Sequence, residues 1–407
     1  MKRNRTTVWF IVLLVLFTWA VPEAFAEEPD GPAGHGPRTL MQIVSETIKD
    51  EQQAVEDALQ NMSSEQKILQ LFVVDPEELD PGVWRVTAMS DTIRSRLKEY
   101  PVGGIIFFAD NLETPKQTRA LVTAIRDYAM EQTGLPPILC VDEEGGRVAR
   151  VSNNDAFGLQ KTGAMNTISA EEDAQKAGYY IGSYLYMLGF NMNLAPVADV
   201  LTVSDNTSIG DRSFGSDPQT VARLAGAYSH GLHAAGILST YKHFPGDGAT
   251  ASDTHNGFAY TEKSLQELNS CELVPFSDAQ RNGADAVMTA HISLPGVTGD
   301  NTPASLSRAL TTDLLRKSLG YKGLIITDSL EMGAIIQNYT SSQAAVGAVK
   351  AGADLILQPD DFQEAMWALK QAVDSGEISK ERLDESVRRI IAAKRGIMRT
   401  MGYITNS

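Results

Sequence analysis

From residue 71 onward the chain repeats one pattern. A short run of apolar, often β-branched residues is followed by a longer stretch with helical spacing of apolar positions. The short runs are Leu71–Val74, Gly104–Phe108, Pro137–Val141, Met192–Val200, Ile237–Lys242, Ala286–His291, Gly323–Asp328 and Asp354–Gln358. Between them Thr114–Gln132, Ala170–Leu188, Pro218–Ala235, Ser264–Asn282 and Ser307–Leu319 read as helices. The strand-like runs are continuously apolar, as strands covered on both faces should be. This alternation predicts right-handed βαβ units and a parallel sheet. Eight units in about 350 residues fit an α/β closed (β/α)8 barrel of TIM type better than an open doubly wound sheet. No GxGxxG follows the first strands, which weighs against a dinucleotide-binding sheet. Met41–Met62 reads as a helix ahead of the first unit, so a single catalytic domain is expected over 41–407.

The residues before that domain follow other rules. Lys2, Arg3 and Arg5 precede an apolar run from Val8 to Ala20, and Ala24-Phe25-Ala26 follows as a small-x-small site. This order predicts a secretory signal peptide over 1–26. The run is short for a hydrocarbon core of roughly 30 Å, so cleavage after Ala26 is expected rather than stable membrane insertion. Residues 27–40, rich in Pro and Gly, read as a flexible linker. The expected location is outside the cytoplasm: extracellular, wall-associated or periplasmic.

Composition narrows the partners. Hydrophobic residues make up 43% and charged residues 21%, an ordinary globular balance. Loss of Lys2, Arg3, Arg5 and Glu23 with the leader takes the formal charge from −16 to −18. Such a surface repels nucleic acid and anionic membrane, and suits solubility and neutral substrates. Cys140 and Cys271 stand far apart and read as free thiols rather than a disulfide framework. No CxxC or HExxH spacing supports a metal site. A monomer without cofactor is the expectation.

A barrel places its chemistry where strands end. The polar residues ending the runs are Asp142, Asp199, Lys242-His243, His291 and Asp328. Helix capping competes for such positions, but Lys and His are poor caps. In Lys242-His243-Phe244-Pro245-Gly246-Asp247-Gly248, the first two side chains can donate to hydroxyls or carbonyls. The glycines punctuate a loop leading to Asp253-Thr254-His255, where the carboxylate can orient the imidazole. Asp328, in Ile326-Thr327-Asp328-Ser329-Leu330-Glu331-Met332, emerges from a buried strand as a nucleophile would. Asp142, in VDEEGGRVAR, can accept from two adjacent hydroxyls, with Arg147 and Arg150 close behind. Arg212 follows in IGDRSFG. Surface ion pairing is the ordinary alternative for each arginine.

Taken in order, VDEEGGRVAR, NLAPVADV, IGDRSFG, KHFPGDGATASDTH and ITDSLEM resemble glycoside hydrolase family three, and within it the single-domain β-N-acetylhexosaminidase branch. The resemblance runs from about Ser64 to Lys394. It implies Asp328 as nucleophile, His255 as acid/base with Asp253 as its partner, and Asp142, Arg150, Arg212, Lys242 and His243 as sugar-binding residues. It implies a retaining exo-enzyme for terminal β-linked N-acetylglucosamine on peptidoglycan fragments or chitooligosaccharides, with phosphorolysis as a secondary outcome. One departure stands out: hexosaminidase members often read PGHG where this chain has Pro245-Gly246-Asp247-Gly248, a GDG reminiscent of glucosidase-like members. A β-glucosidase or β-xylosidase of the same family is therefore the alternative. A non-catalytic sugar-binding barrel would not need Asp253, His255 and Asp328 together, and an aldolase-like use of Lys242 has no further support.

Overall fold

The computed structural model describes residues 40–250, 257 and 259–404. The expected leader, nearly all of the linker, and the Asp253–His255 pair lie outside the described residues. Eight parallel strands form the centre: β1 (Phe72–Val74), β2 (Gly104–Phe107), β3 (Ile138–Val141), β4 (Met192–Asn193), β5 (Leu238–Phe244), β6 (Ala286–Thr289), β7 (Leu324–Thr327) and β8 (Ile356–Leu357). Each lies beside the next in chain order, and β8 pairs with β1. A bridge between Ile326 and Leu355 joins β7 to β8, with Thr327 N–H donating to the Leu355 carbonyl at 3.1 Å. The sheet thus closes on itself as the (β/α)8 barrel expected. Of the residues in these eight strands only Leu238 is not buried, which is why the runs read as continuously apolar.

Two expectations change in detail. The run Met192–Val200 ladders only at Met192 and Asn193, with one further bridge from Val197 to Lys242; Pro196 between them has no N–H to give a neighbour. The segment Ser264–Asn282 is two helices, Leu265–Ser270 and Val274–Ala279. Pro275 lacks an N–H and its ring would meet the carbonyl of Cys271, so one continuous helix is blocked. Cys140 is buried, Cys271 only partly, and both are free.

Helices jacket the barrel. Glu171–Leu188 and Pro218–Ala234 approach closely because both carry glycine at the crossing. A Cβ on Gly178 would stand 2.1 Å from the Tyr228 carbonyl, and one on Gly231 would stand 2.2 Å from that of Gln175. The helix Leu40–Gln60 lies along Lys380–Thr400, tied by Glu51 to Arg395 and by Glu56 to Arg388. At the entry to β8, buried Asp354 accepts from Arg316 at 2.7 Å, Arg389 at 2.9 Å and Ser386 at 2.7 Å. Burial alone would raise its carboxyl; the surrounding arginines outweigh that and hold it low.

The last helix also buries Lys394, whose Nζ donates to Gln70 Oε1 at 2.6 Å just before β1. Burial pushes this ammonium down from 10.5 to about 7. Between those values the unfolded chain holds a proton that the folded chain lacks, so stability rises with pH across that window and the penalty is fullest below it. Lys394→Met is expected to stabilise the protein at pH 6.5 by on the order of 2 kcal/mol, after the unpaired Gln70 is allowed for. Urea melts at pH 6.5 and 9.5 should show that gain vanish at the higher pH; a gain equal at both would rule out a neutral buried lysine.

Candidate active site

The site is assembled at the C-terminal mouth of the barrel. The loop after β3 folds back as a short antiparallel pair, Glu143–Gly145 with Val148–Ala149. Buried Glu143 sets this turn: its carboxylate accepts from Val151 N–H at 2.7 Å, Ser152 N–H at 2.9 Å, Ser152 Oγ at 2.6 Å and Tyr184 Oη at 2.6 Å. Asn193 on β4 grips the Glu143 backbone from the other side. As a result Arg150 N–H reaches back to the Asp142 carbonyl, and the two side chains stand together, Nη2 to Oδ2 at 3.9 Å. Arg150 Nε is buried and has no acceptor among the described residues.

Lys242 rises from β5 between two carboxylates, 2.6 Å from Asp142 Oδ1 and 2.7 Å from Glu144 Oε1. Arg212, from the loop after β4, makes a two-pronged contact with Glu144 at 2.8 and 2.9 Å. Burial alone would raise Glu144, but Arg212 and Lys242 hold it well below the usual carboxylate range. Lys242 loses to burial and gains more from Asp142 and Glu144, so its ammonium stays protonated.

The next residue in β5 has a different partner. His243 Nδ1 lies 2.7 Å from Asp199 Oδ2, and its N–H donates to the same oxygen at 3.0 Å. Burial would lower this imidazole; Asp199 and then Asp328 raise it above its ordinary value. With Nδ1 committed to Asp199, Nε2 is the nitrogen open to a ligand. The other oxygen of Asp199 accepts the N–H of Asp247 at 2.6 Å. Gly246 makes this turn possible, with φ 130° and no room for a Cβ against Glu272.

Asp328 follows β7 directly. Its N–H donates to the Thr289 carbonyl on β6, and its Oδ1 accepts Ser329 N–H at 2.9 Å. The side chain is half-buried. Burial would raise it, but His243, His291, the Ser329 N–H and Lys242 outweigh burial and keep it ionised below the ordinary value. His291 is itself placed by Ser305 Oγ and the Ser329 carbonyl, each at 2.8 Å. A low-lying carboxylate at a strand end, facing cations across a polar mouth, is equipped for nucleophilic attack on an electrophilic carbon.

Six of the eight residues singled out in the sequence therefore meet here: Asp142, Arg150, Arg212, Lys242, His243 and Asp328. Asp253 and His255 lie in the loop outside the described residues. Three carboxylates not among those eight also belong to the site. Asp199 was visible only as a strand-end residue, and Glu144 was one acid in an acidic pair beside two glycines. Asp247 was visible only as a departure from a motif. A groove between the outer helices Ser341–Ala351 and Phe362–Asp374 lies elsewhere and holds none of these groups.

Residues 63–393 match the family described as glycosyl hydrolase family 3 N terminal domain. The chain is 34% identical over 344 residues to β-hexosaminidase LpqI of Mycobacterium tuberculosis, covering 82% of this chain and 83% of that protein. It is 32% identical over 333 residues to β-hexosaminidase A of Pseudoalteromonas piscicida, where it spans only 56% of the relative's length. Among solved structures, a family 3 β-N-acetylglucosaminidase from Paenibacillus superposes with a TM-score of 0.77 at 38% identity, covering 83% of this chain and 63% of that one. The structure of M. tuberculosis LpqI gives 0.71 at 33% identity, covering 82% and 94%.

Asp247 supplies a test of the electrostatics. Burial and Asp199, with Asp328 adding to them, push it up from 3.8 to about 7 against His243 and Arg212. The folded chain thus holds a proton that the unfolded chain releases, and stability falls as pH rises through that window. Asp247→Asn is expected to melt at a higher temperature than wild type at pH 8 and at nearly the same temperature at pH 4. Equal differences at both pH values would show that folding leaves the Asp247 pKa where it is in the unfolded chain.

Proposed function

Because the chain belongs to glycosyl hydrolase family 3, we propose that it is a retaining β-N-acetylhexosaminidase that removes terminal β-linked N-acetylglucosamine from peptidoglycan fragments or chitooligosaccharides. The observation that carries this is Asp328, a half-buried carboxylate kept ionised by His243, His291 and Lys242 at the end of β7. The names of the similar proteins support the sugar class.

In this reading Asp142, Arg150, Lys242, His243 and Arg212 fix the terminal sugar by its hydroxyls. Arg150 Nε, which has no acceptor among the described residues, is one donor available for that purpose. An Asp328 oxygen attacks the anomeric carbon while the bond to the aglycone oxygen breaks and His255, oriented by Asp253, protonates that oxygen. Water then attacks the same carbon, gives its proton to His255 and releases Asp328. Phosphate in place of water would give phosphorolysis. An imidazole suits the acid/base role because its ordinary pKa lies near neutrality. The basic, apolar and small-residue order of residues 1–26 supports export with cleavage after Ala26, and the protein is expected to act as a monomer.

The decisive assay is 4-nitrophenol release from the β-N-acetylglucosaminide by wild type, Asp328→Ala and His255→Ala. Fast turnover by wild type is expected, with a loss of at least about a thousandfold in Asp328→Ala and a smaller loss in His255→Ala, because 4-nitrophenolate leaves with little help from an acid. Turnover persisting in Asp328→Ala would remove the covalent route. A wild type active only on the β-glucoside would move the substrate to glucosides.

A further inference from the structure

The loop from Asp75 to Ser90 leaves the C-terminal end of β1, so it stands on the same face as Asp142 and Asp328. Its frame is fixed by its own contacts. Glu77 Oε1 accepts from Val86 N–H and Asn111 Nδ2, each at 2.7 Å, and Ser90 Oγ donates to Asp80 Oδ2 at 2.6 Å. Leu79 and Val86 are buried beneath it. At its tip Trp84 is 81% exposed, more than any other large hydrophobic residue among those described. Hydrophobic burial explains nothing about an indole in that position. A large aromatic held in water by a well-anchored loop leaves its whole face available to an apolar partner.

The ring is also oriented. The Arg85 guanidinium lies 5.5 Å from its centroid and pairs in turn with Glu113 on the loop after β2. That second loop is bonded to the third: Asn154 Nδ2 donates to the Leu112 carbonyl at 2.8 Å. The third loop carries Arg150 and Asp142. One interlocked wall therefore runs from the sugar-binding pair to Trp84. A pyranose presents an apolar face of C–H groups and a rim of hydroxyls. The indole suits that face, while Arg85 and Glu113 beside it suit that rim.

We infer that Trp84 is the stacking platform for the aglycone sugar, the ring on the far side of the scissile bond. This rests on the β-N-acetylhexosaminidase reading above. It makes the first loop a determinant of which leaving groups the enzyme prefers, separate from the residues that grip the terminal sugar. Trp84 contributes no buried contact, so its removal leaves the fold intact.

The test compares wild type and Trp84→Ala on N,N′-diacetylchitobiose, whose aglycone is a sugar, and on methyl β-N-acetylglucosaminide, whose aglycone has no ring. The expected result is a rise in KM of about tenfold for chitobiose, with kcat/KM for the methyl glycoside within twofold of wild type. A second arm titrates Asp328→Ala with chitotriose and follows tryptophan fluorescence. The change should disappear when Trp84 is also replaced by Ala and persist when Trp367 is. Equal effects on the two substrates, or a fluorescence change that survives loss of Trp84, would overturn the platform while leaving the hexosaminidase reading in place. A wild type inactive on both substrates would overturn that reading and the subsite with it.

Discussion

The ammonium group of Lys242 lies 2.6 Å from Asp142 and 2.7 Å from Glu144 with almost no contact with water. Through Glu144 it is joined to Arg212, and through Asp142 to Arg150. This cluster draws the loops after β3 and β4 onto β5. Ions buried so deeply are costly unless each is matched, and removal of one partner from such a pair typically costs about 3–5 kcal/mol. The cluster therefore adds little net stability but makes one arrangement of loops far better than its neighbours. A ligand entering this mouth would meet donors and acceptors already in place, with little left to reorganise.

That matching explains how neighbouring carboxylates come to differ. Glu143 and Glu144 are adjacent and both buried, yet the first accepts from neutral donors and shapes the turn, while the second anchors two cations. Asp328 and Asp247 diverge further. Asp328 faces the cations of the cluster and is held low, whereas Asp247 sits behind Asp199 with that charge working against it. Environments that push two carboxyl groups apart are how one site keeps an anionic carboxylate beside a neutral one at the same pH.

Much of this was legible in the sequence because it depends on local rules. Continuous apolar runs marked strands covered on both faces, and all eight proved to be barrel strands. Their polar terminal residues marked the mouth of the barrel where the candidate site is assembled. What was not legible depends on long-range placement. Glu144 beside Gly145 and Gly146 has the composition of a solvated turn; only the arrival of Arg212, 68 positions later, makes it an anchor. The break at Cys271–Leu273 was available in Pro275, which an apolar spacing count passes over. Trp84 gave no periodic signal at all, since its meaning lies in being left in water.

Charge balance finally bears on what the mouth can accept. Asp142, Glu144, Asp199 and Asp328 are set against Arg150, Lys242, Arg212 and a His243 whose protonated form is favoured. With Asp247 holding a proton, these groups nearly cancel. A neutral sugar enters such a site without disturbing it, trading water for hydrogen bonds of similar strength. An anionic ring would add charge beside Asp328, where little countercharge is left unmatched, and each unpaired ion in a poorly hydrated site is costly. The same balance that fixes the loops therefore suits an uncharged ring beside Asp328 and leaves the charge of a leaving group outside the mouth unconstrained. Asp247, the one carboxylate among them that burial pushes up toward neutrality, is the group whose ionisation would upset it.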